Sequence, residues 1–190
     1  MHRIVSAPHS KPLLRGTNAI GLSRRWYYTP RTRRAYSVRQ VSPGDRRLLA
    51  EFAVTLTQGA GDIERADLHD LTNMLFERVL GADSESAVGF VALESTAAGD
   101  RVIGVCACTP SARDSAELVI AVAPTYREEL VGRTLLSTLL RHARRAGLGR
   151  LEGEIHWSNR APLMLAQSMG FSVRPVAADH TRRQLVLQLK

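Results

Sequence analysis

The chain has no long apolar run. No window approaches about 18 consecutive apolar residues, so a membrane-spanning helix is not expected. Cysteine is scarce: Cys106 and Cys108 are the two present. They sit two apart in a strand-like run and therefore point to one face, where a disulfide between them is geometrically unfavourable. They read as small buried apolar residues. The histidines (His2, His9, His69, His142, His156, His180) are scattered, and none pairs with Cys or His at ligand spacing, so no metal site is expected. Acidic side chains are missing from residues 1–40, which carry nine basic ones. The totals are 26 basic and 18 acidic, which leaves 17 against 18 in the remainder. The net charge of +8 thus belongs to the leader, and the body is close to neutral, which argues against a nucleic-acid surface on the body itself.

At 190 residues, with 44% hydrophobic side chains, the chain suits one domain with a sizeable core. The expected division is a basic, flexible leader over residues 1–35 and a single domain over 36–190. Three readings of the leader stay open: a poorly ordered extension, a mitochondrial transit peptide cut near Arg34-Ala35-Tyr36-Ser37, or a nucleic-acid arm in which Trp26, Tyr27 and Tyr28 stack on bases. It lacks the apolar core of a secretory signal. The expected location is cytoplasmic, or the mitochondrial matrix if the leader is a transit peptide.

In the body, residues 36–41 alternate as a strand. Ser42-Pro43-Gly44-Asp45 then starts a helix with Leu48, Leu49, Phe52 and Leu56 on one face. A second helix is expected after Asp62, carrying Ile63, Leu71, Leu75 and Val79. Residues 87–93 and 102–109 read as strands joined by a small-residue loop over 95–100. Residues 118–123 form an apolar strand bounded by Pro124. Val131, Leu135, Leu139 and Ala143 then recur at helical spacing until Gly147. A strand over 151–155, a helix from about Asn159 to Gly170, and two final strands complete the order. A strand, turn and helix in succession place backbone amides at a helix N-terminus, a ready site for phosphates.

Two stretches are recognisable. Ala123-Pro124-Thr125-Tyr126-Arg127, followed by Val131-Gly132-Arg133-Thr134-Leu135-Leu136, resembles the acyl-CoA-binding segment of the GNAT family of N-acetyltransferases. The family pattern Gln/Arg-x-x-Gly-x-Gly/Ala appears as Arg127-x-x-Leu130-x-Gly132. Residues 153–160, then Leu165-Ala166 and Met169-Gly170-Phe171, are similar to the family's later strand and helix. The likeness is closest to bacterial protein-lysine acetyltransferases. It is good over residues 115–171, looser over 36–114 and absent over 1–35.

The resemblance implies an α/β (α+β) domain: a mixed, mostly antiparallel sheet of six to seven strands with about four helices, splayed where acetyl-CoA enters as co-substrate. It implies an acetyl-CoA-dependent N-acetyltransferase acting on a primary amine, either a small molecule or a protein lysine. A homodimer is compatible with this, and neither a metal nor a membrane is expected. Glu117 is implied as general base, with His156 as second choice. Main-chain groups of Ile120 and Val122 are implied beside the pantetheine arm and the reacting carbonyl. Arg127, Val131, Gly132, Arg133 and Thr134 are implied at the pyrophosphate, and Asn159 at pantetheine. Three departures favour an alternative, a catalytically degenerate ligand-binding or regulatory module: Leu130 stands for a glycine, and Glu128 and Glu129 place carboxylates beside a phosphate site. Ala166 replaces the tyrosine that many members use to protonate the thiolate; a leaving thiol of pKa about 8.5 tolerates its loss.

Overall fold

A computed structural model of the chain describes residues 15–17, 23–29, 34–58, 87–112, 114–127 and 130–189, with 72, 76, 77 and 80 between them. In chain order the elements are β1 (Arg15–Thr17), β2 (Ser23–Tyr28), β3 (Ala35–Gln40), α1 (Arg46–Thr57), β4 (Val88–Thr96), β5 (Gly99–Ala112), β6 (Ser115–Val122), α2 (Val131–Arg145), β7 (Arg150–His156), α3 (Arg160–Ser168), β8 (Ser172–Val176) and β9 (Asp179–Gln188). The strands form one sheet in the order β1-β2-β3-β4-β5-β6-β7-β9-β8. Neighbours pair antiparallel except β6 and β7, which run parallel. This is the expected mixed, mostly antiparallel class, with nine strands and three α-helices among the described residues. Ile63, Leu71, Leu75 and Val79 of the second expected helix lie outside the described residues.

Two of the strands, β1 and β2, lie within residues 1–35. β2 pairs with β3 from Arg25 against Val38 to Tyr28 against Ala35, and β1 adds to its outer edge. Tyr27 is buried and stacks on Tyr36 with ring centroids 5.5 Å apart. A strand needs an apolar side chain only at alternate positions, so the arginines around Tyr27 mask its pattern without preventing it from pairing. Tyr27 is consequently spent on the core rather than held out for a base.

α2 lies on the face of the sheet that carries Tyr36, Phe90 and Cys106. It buries Val131, Leu135, Leu136, Leu139, Leu140 and Ala143 there, the periodic positions of its sequence and their neighbours. His142, Arg144 and Arg145 complement the dipole in its last turn, and Gly147 ends it at φ 76°. Cys106 and Cys108 share this face as free thiols. Burial pushes Cys108 up to about 11 and Cys106 higher still, so neither is a reactive thiolate. α1 is fixed at its start by Asp45, which accepts two bonds from the Arg39 guanidinium on β3 at 2.6 and 2.5 Å. The two final strands meet in a tight turn, since β8 ends at Val176 and β9 begins at Asp179.

Candidate active site

The site lies where β6 and β7 part. Their parallel pairing runs from Ser115 opposite Arg150 to Glu117 opposite Glu152 and ends there. At this vertex a Cβ on Gly153 would stand 2.9 Å from the Leu118 carbonyl oxygen, so only glycine lets the strands approach so closely. On its other edge β6 stays paired with β5 through Val122 opposite Gly104, and the Ala123 amide still donates to the Ile103 carbonyl. Main-chain groups alternate along a strand. Those of Val119 and Ala121 therefore serve β5, while those of Ile120 and Val122 face the opening. The β7 partner they would otherwise pair with has diverged.

The opening holds a cavity of about 240 Å³, lined by Ile120, Val122, Arg127, Gly132, Arg133 and Asn159 among the residues singled out in the sequence. Leu118, Leu136, Ile155, Leu165, Ala166 and Leu185 line it as well. Asn159 is the N-cap residue of α3 yet makes no side-chain capping bond, and it borders the cavity. Arg133 reaches across to α3, where its guanidinium donates to Ser168 Oγ at 2.9 Å. Val131 and Thr134 fall outside the lining. Val131 is fully buried beneath the helix. The Thr134 hydroxyl bonds the Leu130 carbonyl and the Tyr36 hydroxyl, and its amide also donates to Leu130. Val131 retains only its backbone N–H for an anion. Leu130 holds φ −55°, a conformation open to any residue, so no backbone strain follows from the missing glycine. Glu128 and Glu129 lie outside the described residues.

Glu117 projects from the other face of the sheet. It borders a second, adjoining cavity of about 270 Å³ with Ser111, Val119, Glu152, Glu154, Arg182 and Gln184. Side chains of strand partners share a face, so Glu117 and Glu152 stand side by side. Glu154 approaches Arg182 at 3.9 Å, and the Gln184 amide donates to Glu152 at 3.4 Å. His156 bonds the Ser158 hydroxyl through Nδ1 at 2.9 Å. The opening thus connects an apolar cavity near a helix N-terminus with an acid-rich cavity on the opposite face.

Sequence reasoning missed the anchor of the turn between β6 and α2. Tyr126 ends the short 3₁₀ segment Pro124–Tyr126, and its hydroxyl donates to Glu94 at 2.7 Å. Arg101 donates to the other Glu94 oxygen at 2.6 Å and to the Tyr126 oxygen at 3.1 Å. Arg34 approaches the Tyr126 hydroxyl at 3.3 Å. Burial opposes the Glu94 charge, but the bonds from Tyr126 and Arg101 outweigh it and hold the carboxyl below its ordinary range. The one signal in the sequence was an acid, Glu94, at the end of an apolar strand; its partners lie in three other segments. Because this knot fixes the residue before Arg127, Tyr126→Phe is expected to cost about 1–2 kcal/mol of stability. It should also raise the dissociation constant for CoA severalfold. Denaturant melts and calorimetry check the two effects.

The comparisons agree with this geometry. A family model described as Acetyltransferase (GNAT) family matches residues 55–171, more than half of the chain. No curated protein sequence matches. The fold is similar to the GNAT domain of Streptomyces lividans PAT, 17% identical at a TM-score of 0.64, covering 87% of this chain and 96% of that one. It is also similar to the Escherichia coli ribosomal-protein-S18-alanine N-acetyltransferase, 18% identical at 0.59, with 82% and 94% covered. The cAMP-binding acyltransferase of Mycobacterium smegmatis is 18% identical at 0.60, and the match covers 89% of this chain but 48% of that longer protein. With the family's segment placed at a splayed parallel pair between two cavities, the chain belongs to the GNAT family of acetyltransferases.

Proposed function

We propose that the protein is an acyl-CoA-dependent N-acetyltransferase that acylates a primary amine by direct attack on the thioester. The observation that carries this reading is the end of β6–β7 pairing at Glu117, which opens one strand edge to both cavities. The residues fit CoA. The amides of Val131, Gly132 and Arg133 lie in the first turn of α2 and have no acceptor four residues back within the helix, so they suit the pyrophosphate. Arg127 and Arg133 add positive charge at the mouth. Asn159 and the edge of β6 suit the amides of the pantetheine arm. CoA supplies an activated acyl group as a thioester.

The chain's own work is then positioning and proton transfer. The main-chain amide of Ile120 or Val122 donates to the carbonyl oxygen as negative charge builds on it. Glu117 takes the proton from the incoming ammonium, directly or through water. Glu152 and Glu154 make the acceptor cavity acidic, which favours a cationic amine over an anionic one. Similarity to the E. coli enzyme, whose name gives a protein alanine as acceptor, supports an amine carried by a protein; the sequence resemblance over residues 115–171 adds a protein lysine to the choice.

Leu130 favours a second reading. It stands half-exposed at the cavity mouth where the family pattern has glycine, and its side chain crowds the phosphate approach. On that reading the fold binds a ligand without turnover. Calorimetric titration with CoA and acetyl-CoA at moderate salt separates the two. Micromolar binding, followed by CoA release on adding amines or lysine peptides, is the expected result. A folded protein that binds neither compound would end the transferase reading.

A further inference from the structure

Beyond the Asn159 and β6 edge that suit the pantetheine arm, the inner wall of the apolar cavity is aliphatic on more sides than an acetyl group requires. Leu118 on β6, Leu136 on α2, Ile155 on β7, Ala166 on α3 and Leu185 on β9 line it, each at most 7% exposed. These five side chains come from five elements, and none of them is polar. The charged and amide side chains of the lining are Arg127, Arg133, Glu154 and Asn159. Both arginines lie toward solvent beside the start of α2, Asn159 heads α3, and Glu154 belongs to the acid-rich face. The chamber also has a defined bottom, where Gly153 meets the Leu118 carbonyl and the ladder closes at Glu117.

We infer that this chamber is an acyl pocket, and that the preferred donor carries an unbranched, uncharged acyl chain of about three to four carbons, with Ala166 as the residue that sets the length. The inference rests on the acyl-CoA reading above and deepens it. Ile120, whose amide faces the opening, stands two residues above Leu118. At about 3.3 Å per residue that is roughly 7 Å, enough for a few methylenes once van der Waals contact with the floor is allowed for. An acetyl methyl leaves this apolar space unfilled, and such space stays dry rather than filling with water. Each added methylene that enters it leaves water for apolar contact. Ala166, 4% exposed, is the small side chain that α3 contributes to the cavity Ile155 and Leu185 also line. A carboxylate at the end of the chain would meet no cation or donor side chain among the five floor residues, so a charged acyl group is rejected.

The test is calorimetric and needs no acceptor amine. CoA, acetyl-CoA, butyryl-CoA and succinyl-CoA are titrated into the full chain. Butyryl-CoA is expected to bind about fifteenfold more tightly than acetyl-CoA, from two methylenes at about fourfold each. Succinyl-CoA, whose chain has the same number of carbons, is expected to bind no more tightly than acetyl-CoA. In Ala166→Leu the ratio between acetyl- and butyryl-CoA should fall to one or below, and in Leu185→Phe likewise from the opposite wall. Because the readout is a ratio within each variant, a general loss of affinity cancels. Equal affinity for acetyl- and butyryl-CoA in the wild type, with CoA binding intact, would overturn the inference and leave the transferase reading standing. So would succinyl-CoA matching butyryl-CoA. Loss of CoA binding altogether would remove the reading on which the inference rests.

Discussion

Glu117→Gln is expected to lower turnover by about 10²- to 10⁴-fold near neutral pH, the usual contribution of a positioned general base, while leaving acetyl-CoA affinity nearly unchanged. The split follows from position. Glu117 lines the acid-rich cavity on one face, whereas the groups suited to CoA line the other cavity and the first turn of α2. An acceptor amine with a pKa near 10.4 is almost wholly protonated at pH 7, and its lone pair is available only after a proton leaves. The amide of glutamine preserves the shape and removes the basic oxygen. The defect should narrow as pH rises toward 10, because the ammonium then loses its proton to solvent without help. Initial rates of the two proteins across that range, with acyl-CoA affinities measured in parallel, give the answer. Equal rates at every pH would mean that the proton goes elsewhere, with His156 the next group to substitute.

Asp45→Ala should cause the largest loss of stability, about 3–5 kcal/mol. Asp45 is 3% exposed and accepts both arms of Arg39 as well as the Ser42 amide at 2.8 Å. Removing the carboxylate strands a guanidinium whose side chain is only 11% exposed. The consequence reaches the site, because this pair pins the start of α1 to β3 and the far end of α1 places Leu56 in the lining of the apolar cavity. Urea melts of the single variants and of the Arg39→Leu, Asp45→Ala pair would show strong non-additivity, since the double variant leaves no buried charge unpaired. The pH dependence has a definite sign. Burial raises the Asp45 pKa, but bonding from Arg39 and Ser42 outweighs it, so the folded-state value lies below that of the unfolded chain. Its stabilisation is therefore complete above the unfolded value of about 3.9 and disappears as pH falls through the lower folded value. The difference between wild type and Asp45→Ala should accordingly shrink below about pH 4. Glu94, lowered in the same sense, adds to the acid sensitivity that remains.

Much of this molecule was legible in its sequence wherever a local rule applied. The periodicity of Val131, Leu135, Leu139 and Ala143 determined α2, and Gly147 marked its end. The apolar run after Glu117 determined β6, and the alternation after Ala35 determined β3. Those signals are short-range: side-chain spacing, turn chemistry and capping act within a few residues, so a single chain displays them. The resemblance over residues 115–171 added the family. What the tertiary structure decided depends on residues far apart in the chain. How closely β7 comes to β6 where they part depends on Gly153 lying against the Leu118 carbonyl. The fate of Tyr27 is set by a stacking partner on a neighbouring strand. The anchoring of the turn before α2 requires Arg34, Glu94, Arg101 and Tyr126 at once, and none of the four is remarkable alone. The separation of Glu117 from the apolar cavity follows from the alternation of a strand whose other edge is held by β5. Sequence therefore determined which elements form, because each element answers to its own residues. Only packing decided which face each candidate residue serves, because a face exists once strands from opposite ends of the chain have been laid side by side.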